Sequence, residues 1–434
     1  MSTDDKDILD STDTGIALQD AGHTEQDIKD GLSINLDGHV TSPLGYKAGG
    51  LHCGIKRKRH DLGWIISEVP AFTAGVYTTN LIQAAPLQVT KESLQVDGSL
   101  YAVLVNSGNA NACTGMQGLE DAYEMRRMLA EQLEVEKHQV AVVSTGVIGE
   151  LMPMDKISAG VKEMKEQVAQ TTVLDFEKAI LTTDTCTKHI AVECVIDGCK
   201  VTIGGAAKGS GMIHPNMATM LGFITTDATV EPAALDLALK HLTNKSFNRI
   251  TVDGDTSTND MVLLMANGLA KNDSLSPQHP QWDTFLAALE LVCKDLAKKI
   301  ARDGEGATKL IEVQVKGAES EQIAEAVGKS VVGSSLVKTA VYGTDPNWGR
   351  IVCAVGYTSE LKSLDPNLLS VWLGEIQVVD NGLPVSFNEE EATLYLEQEN
   401  VKIYVDLQMG SHEATCWGCD LSYDYVRINA SYRT

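Results

Sequence analysis

Positive charge is what this sequence has least of: 35 lysines and arginines stand against 59 aspartates and glutamates, a net charge of −24. A chain so acidic repels the phosphates of nucleic acids and anionic membrane surfaces, which excludes both as expected partners. A long apolar run is also missing. A membrane-spanning helix needs about 20 unbroken apolar residues, and even Met261–Ala270 is interrupted by Asn267. The first fifteen residues, MSTDDKDILDSTDTG, are acidic where a targeting presequence would be basic and then apolar. A cytoplasmic protein is therefore expected, with residues 1–30 as an acidic, disordered tail. A disulfide framework is not expected either: nine cysteines, an odd number at irregular spacing, suit a reduced compartment.

What is present is a chain of 434 residues that are 43% hydrophobic, enough for a large core in two or three domains or one composite enzyme domain. Buried strands are expected at Gly63–Val69, from Tyr101 into an Asn/Gly/Ser turn, at Ala141–Glu150 with a break at Thr145–Gly146, and at Met261–Ala266. Helical periodicity marks Glu120–Leu133, Leu174–Leu181 and Glu231–Thr243. It is clearest in Trp282–Asp303, where Phe285, Leu289, Val292, Leu296 and Ile300 fall on one stripe. Ser320–Ser330 reads as a further helix and Thr339–Ile351 as a strand running into a turn. From about Leu361 the chain becomes short strands with one helix at Glu389–Leu396, a smaller β-rich subdomain.

The segment that concentrates chemistry is Lys208–Gly222, KGSGMIHPNMATMLG. A threonine hydroxyl is a weak nucleophile without a base, and the most compact base is its own α-amine. Cleavage between Ala218 and Thr219 would create one. KGSGMIHPNMATML resembles the self-cleavage segment of the ornithine acetyltransferase family, the glutamate N-acetyltransferases of arginine biosynthesis, and the similarity runs from about Val40 to Thr434. The resemblance implies cleavage into an α chain, 31–218, and a β chain, 219–434, which stay together as a heterotetramer of two pairs. It also implies a four-layer α/β/β/α sandwich, an α/β (α+β) fold.

For the site, the resemblance implies Thr219 as nucleophile and Thr145 and Gly146, in the STG of strand 141–150, as the oxyanion hole. Thr185, Lys208, Thr219, Glu305, Asn429 and Thr434 follow as substrate residues. Where the family usually has proline after the Thr185 region, this chain has Thr187. The reaction implied moves an acetyl group from N-acetylornithine to glutamate by a ping-pong acyl-threonine route; acetyl-CoA stays open as a second donor, and no metal or other cofactor is expected.

Rival readings are weaker. Gly204–Gly211 has the letters of a phosphate loop in the wrong order. Thr251–Asp260 lacks the glycine and the bidentate glutamate of a calcium loop and reads as a polar turn near the active site. Asp184 is either a base or metal ligand or, more ordinarily, a turn cap. The KRKRH run at Lys56–His60 is an anion patch or a solvated loop. His214 belongs to the cleavage loop rather than to turnover. Cys416 and Cys419, the CWGC pair, suggest a redox or zinc role that one CxxC cannot complete. Two alternatives follow: a terminal-threonine hydrolase or aminopeptidase of related fold, and a non-enzymatic thiol or metal-binding protein.

Overall fold

A computed structural model describes residues 31–167, 170–214 and 220–431. The acidic tail, Ala218, Thr219 and Thr434 lie outside the described residues. The chain opens with strands β1 (Ser33–Asn35), β2 (Tyr46–Leu51) and β3 (Leu62–Tyr77), helix α1 (Ala85–Asp97), β4 (Ser99–Asn109), α2 (Gly115–Leu133), β5 (Val140–Val147), α3 (Met154–Gln167) and α4 (Val173–Ile180). A hairpin of β6 (Lys188–Ile196) and β7 (Cys199–Lys208) precedes β8 (Leu221–Thr226), α5 (Pro232–Lys245), β9 (Ile250–Thr251), β10 (Met261–Ala266) and the long helix α6 (Trp282–Arg302). Then come β11 (Leu310–Ala318), α7 (Glu321–Gly333), α8 (Ser335–Tyr342), α9 (Trp348–Gly356), β12 (Ser370–Leu373), β13 (Ile376–Asp380), β14 (Leu383–Pro384), α10 (Glu389–Leu396), β15 (Asn400–Asp406), β16 (His412–Cys419) and α11 (Tyr423–Ala430).

The first sheet runs β1-β6-β7-β8-β10-β3-β4-β5, with β2 also on β3. Strand β3 is its hinge. Its first half pairs β2, its second half pairs β10, and its register against β4 shifts between Ile66 and Ala71. That irregularity bends the strand and folds the sheet into two facing layers. The period-two alternation of strands makes the layering visible. In β4 and β5, Val103, Val105, Ala141 and Val143 point inward to meet Phe223, Leu263 and Met265 from β8 and β10. Ala102, Leu104, Val140 and Val142 point outward onto Met125 and Leu129 of α2 and Ile157 and Val161 of α3. On the opposite outer face Ile224, Val262 and Leu264 meet α5 and the stripe of α6. The result is the expected four-layer α/β/β/α order. Leu289, Val292 and Leu296 of that stripe are fully buried, each contributing about 2 kcal/mol of apolar transfer.

A second sheet runs β14-β13-β12-β15-β11-β16-β9. Helices α7, α8 and α9 cover one face, and Leu310, Trp417 and Cys419 of the other join the core of α6. This sheet is not confined to the residues beyond Leu361, because β11 stands near its centre and β9 at its edge. Among the described residues no helix is long and apolar enough to cross a membrane.

Two local expectations are corrected. The strand expected at the start of Thr339–Ile351 is helix: Thr339–Tyr342 ends α8, whose Ser334 cap accepts a hydrogen bond from the Val337 amide, and after the expected turn Trp348–Ile351 opens α9. The β-branched TAVY run looked like a strand, but the serine cap and the inward face of Val337 and Val341 decide for helix. Strand β5 does not break at Thr145–Gly146 either; it continues to Val147, paired in parallel with β4.

Candidate active site

A cavity of about 350 Å³ opens where these elements end. Strand β5 brings Thr145 and Gly146, the end of β7 brings Lys208, the turn before β10 brings Ser257, Asn259 and Asp260, and Glu305 and Asn429 close it from the α6–β11 connection and from α11. The segment that carries the expected cleavage site enters through Gly211, Met212 and Ile213 and leaves through Met220 and Leu221, all of them cavity walls.

Gly146 sits at φ +137°, where a Cβ would lie 2.3 Å from the Gly108 carbonyl carbon and 2.5 Å from the Asn109 nitrogen. Only glycine lets β5 pass this close to β4, and Gly146 itself lines the cavity. Thr145 Oγ1 accepts a hydrogen bond from Lys208 Nζ at 3.4 Å, which leaves the hydroxyl proton free to donate into the cavity. Lys208 is buried. Burial pulls its ammonium below the ordinary lysine range; Asp184 opposes that pull and Lys188 reinforces it.

Beneath the cavity lies a buried ion triad that the sequence did not announce. Lys188 Nζ donates to Asp184 at 2.8 Å and to Asp303 at 2.5 Å, and its side chain is fully enclosed. Burial acts to lower the Lys188 ammonium, but the two carboxylates overcome it and hold it above the usual range. Burial likewise acts to raise Asp184, and Lys188 and then Lys208 overcome it, keeping the carboxyl well below its ordinary value. Asp184 is therefore held as an ionised carboxylate, too weakly basic for a general base. It also accepts from the Thr182 amide at 3.0 Å, capping its own turn, and from the Gly209 amide at 2.6 Å.

The approach to the cleavage segment is fixed at several further points. The Glu305 amide donates to the Ser210 carbonyl at 3.0 Å, and the Met212 and Ile213 amides donate to Asp253 at 2.6 and 2.8 Å. Gly211 passes so close to Glu305 that a Cβ would lie 2.3 Å from its carboxylate. His214 Nδ1 lies 3.0 Å from Thr251 Oγ1, and burial, with Lys329 next, lowers the ring to about 4. It is thus neutral near pH 7.

Of the expected substrate residues, Lys208, Glu305 and Asn429 meet in the cavity, where Asn429 Nδ2 donates to Glu305 at 2.7 Å. Thr185 does not line it; its amide and hydroxyl both donate to Asp303. Lys188 was missed, and Asn259 and Asp260 were expected only as members of a polar turn near the active site. Asn259 donates to the Ala110 and Ser144 carbonyls at 2.6 and 2.8 Å, tying the turn to β5. Asp260 is 3% exposed, its Oδ2 has no partner among the described residues, and burial raises its carboxyl well above the ordinary range.

The rival thiol reading fails on geometry. Cys416 packs in the core under α7 and Cys419 in the core of α6, because a three-residue step along β16 puts them on opposite faces. Burial pushes the Cys416 thiol up to about 12, far from a reactive thiolate. Among the described residues one group could hold a metal ion by proximity, His39, Glu177 and His189. Both rings meet the Glu177 carboxylate at 2.7 Å, and none of the three lines the cavity.

The model of the ArgJ family matches residues 47–434. The arginine biosynthesis bifunctional protein ArgJ of Oceanobacillus iheyensis is 57% identical over 403 residues, 93% of this chain and 98% of that one. The protein of the same name from Bacillus subtilis is 55% identical over 401 residues, 92% and 98% of the two chains. A crystal structure of arginine biosynthesis bifunctional protein ArgJ from Bacillus halodurans is 56% identical, with a TM-score of 0.48, covering 49% of this chain and all of that one. With a fold whose strand ends converge on one cavity and a match over nearly its whole described length, the chain belongs to the ArgJ family.

Proposed function

We propose that this chain matures by severing its own Ala218–Thr219 bond and then transfers acetyl groups from N-acetylornithine to glutamate. The enzyme is an acyltransferase of arginine biosynthesis. One observation carries the site assignment: the described chain on both sides of Thr219, Gly211–Ile213 and Met220–Leu221, lines the cavity that also holds Thr145, Gly146, Lys208, Glu305 and Asn429.

In maturation, Thr219 Oγ adds to the Ala218 carbonyl, the C–N bond breaks as the acyl group moves to oxygen, and water hydrolyses the ester to free the Thr219 amine. In turnover that amine, with an ordinary pKa of about 7.7–8.0, takes the hydroxyl proton while Oγ attacks the acetyl carbonyl. The Gly146 amide and the Lys208-polarised Thr145 hydroxyl receive the developing oxyanion. Collapse breaks the acetyl C–N bond, and the proton passes to the leaving ornithine amine. Glutamate's amine then attacks the acetyl-threonine ester and regenerates Oγ–H. Glu305, held by Asn429, offers a carboxylate to the substrate's ammonium, and Lys208 offers a cation to its carboxylate. Thr434 joins this set as a substrate residue from the chain's end, and Thr185 acts through Asp303.

Residues 31–218 and 219–434 form the two mature chains, assembled as a heterotetramer in the cytoplasm. The test is a denaturing gel with N-terminal sequencing on wild type and Thr219→Ala. Two fragments, the second beginning at Thr219, are expected from wild type and one intact chain from the variant. A wild-type chain that stays intact and still transfers acetyl at full rate refutes the reading. Hydrolysis of N-acetylornithine without transfer to glutamate favours a terminal-threonine hydrolase instead.

A further inference from the structure

Away from the cavity, residues from three separate elements converge on one buried carboxylate. Glu177 of α4 has a side chain 1% exposed, and its two oxygens meet two imidazoles at 2.7 Å each, Oε1 at His39 Nδ1 and Oε2 at His189 Nδ1. The rings stand 4.2 Å apart between centroids, tilted by 54°, and each side chain keeps 20% of its surface exposed. His189 is the second residue of β6, while His39 lies in the link between β1 and β2. Two glycines let that link lie flat on the sheet. A Cβ on Gly38 would sit 2.3 Å from the Ala191 side chain, and one on Gly204 would sit 2.1 Å from the His39 carbonyl oxygen, so no larger residue permits the approach. Ser42 then locks the turn both ways: its amide donates to the His39 carbonyl and its hydroxyl accepts from the His39 amide, both at 2.9 Å. Burial acts to raise the Glu177 carboxyl, and the hydrogen bonds from His189 and His39 overcome it. The carboxylate stays ionised.

We propose that His39, Glu177 and His189 form a structural site for a divalent transition metal of the zinc class, clipping the β1–β2 link and α4 to β6. Two imidazole nitrogens and a carboxylate are a donor set that zinc accepts, one position short of tetrahedral. Water reaches the remaining position past the exposed edges of the rings. All three ligand atoms lie within 4.8 Å of one another. Bonds of about 2.0–2.2 Å place tetrahedral ligand atoms about 3.3 Å apart, so each ring has to draw back from the carboxylate by only about 0.6 Å. A neutral imidazole coordinates through Nδ1 and carries its single hydrogen on Nε2, so the exchange of hydrogen bonds for metal bonds releases no net proton from neutral rings. A net charge of −24 draws cations toward the surface where the rings emerge.

The test uses the full, tag-free protein dialysed against chelator, then titrated with zinc by calorimetry and with cobalt(II) by absorption. Wild type should take up one ion per chain, and bound cobalt should show d–d bands without a thiolate charge-transfer band, which excludes the free cysteines as ligands. In His39→Ala/His189→Ala and in Glu177→Gln the affinity should fall by more than the roughly 10–100-fold that losing an outer-shell partner costs. Melting curves keep the test open to variants of lower starting stability. Zinc at about 100 times its dissociation constant should raise the wild-type melting temperature by about 3 °C and leave both variants where they began. A wild type that binds no ion overturns the proposal and leaves a hydrogen-bonded cluster. A thiolate band at the stoichiometric site, or an equal zinc-induced rise in wild type and variants, overturns it too. None of these outcomes bears on acetyl transfer, which is assayed separately.

Discussion

Replacing Lys188 with methionine removes the cation that bridges Asp184 and Asp303 and leaves two carboxylates enclosed together, with side chains 0% and 6% exposed. A buried charge stripped of its partner costs about 3–5 kcal/mol. A second route to the figure sets a ceiling. The folded variant can relieve the repulsion by protonating one carboxyl, which from an ordinary pKa of about 3.9 to pH 7 costs at most about 3.1 × 1.36, or about 4 kcal/mol. The two estimates agree, and at about 2.1 cal/mol/K of unfolding entropy per residue a chain of 434 residues should lose roughly 4 °C of melting temperature. The pH dependence separates this cause from a packing defect. The depressed Asp184 carboxyl lends wild type stability that is present above about pH 3.9 and lost as pH falls through its folded value. The raised Lys188 lends stability present below about pH 10.4 and lost only as pH rises through its folded value. Protonating a carboxyl in the variant costs less as pH falls toward about 3.9, so the wild-type advantage over Lys188→Met should be largest near neutral pH and shrink as pH approaches 4. Urea titrations at pH 7 and pH 4.5 measure it. A cost under about 1 kcal/mol at pH 7, or an equal cost at both pH values, refutes the reasoning.

Gly146→Ala should fold poorly at the β4–β5 crossing, because the added Cβ meets backbone rather than a movable side chain; any soluble enzyme should show kcat reduced by more than about 10² in an acetyl-transfer assay. Asp260→Asn should raise stability at pH 7. A carboxyl whose pKa burial has raised destabilises the fold above its unfolded pKa, and the gain should vanish below about pH 4; melting curves across that range check it. Asn429→Ala takes the donor from a Glu305 that is 6% exposed. Losing that charged hydrogen bond, about 1.5–3 kcal/mol, should raise KM for N-acetylornithine tenfold or more with a smaller change in kcat, read from initial rates.

How much of this was legible in the chain depended on the range of the signal. Met261–Ala266 and Glu389–Leu396 end where the sequence placed them, because their boundaries are set locally by polar turns and an Asn388 cap. Trp282–Arg302 was legible from its stripe alone. The α8 and α9 helices were not: eight- and nine-residue helices hold too few turns to establish a period, and their β-branched content argues for strand until α7 is there to pack on. At the site, the glycine and threonine of β5 were recognisable from their motif. Lys188, Asp303 and Asp260 were not, since a buried charge is defined by what surrounds it. The step from Asp184 to Asp303 crosses 119 positions of sequence, and no local pattern records that Lys188 joins them.

The triad and the proposed cleavage segment are parts of one device. Asp184 spends one oxygen on both Lys188 and the Gly209 amide, so the charge that the triad keeps on this carboxylate also anchors the chain at the entrance to Lys208–Gly222. A neutral acid there would be a weaker acceptor for the Gly209 amide, by about half for a charge-assisted bond. Asp303→Asn tests the coupling. It removes one of the two charges on Lys188 while keeping the shape, and Lys188 should then lean wholly on Asp184 and hold its charge. Cleavage should proceed at close to the wild-type rate in Asp303→Asn and slow by tenfold or more in Lys188→Met, measured as the appearance of the Thr219 fragment over time. Equal slowing in both would mean that the triad acts on folding alone, with no special hold on the segment that is cut.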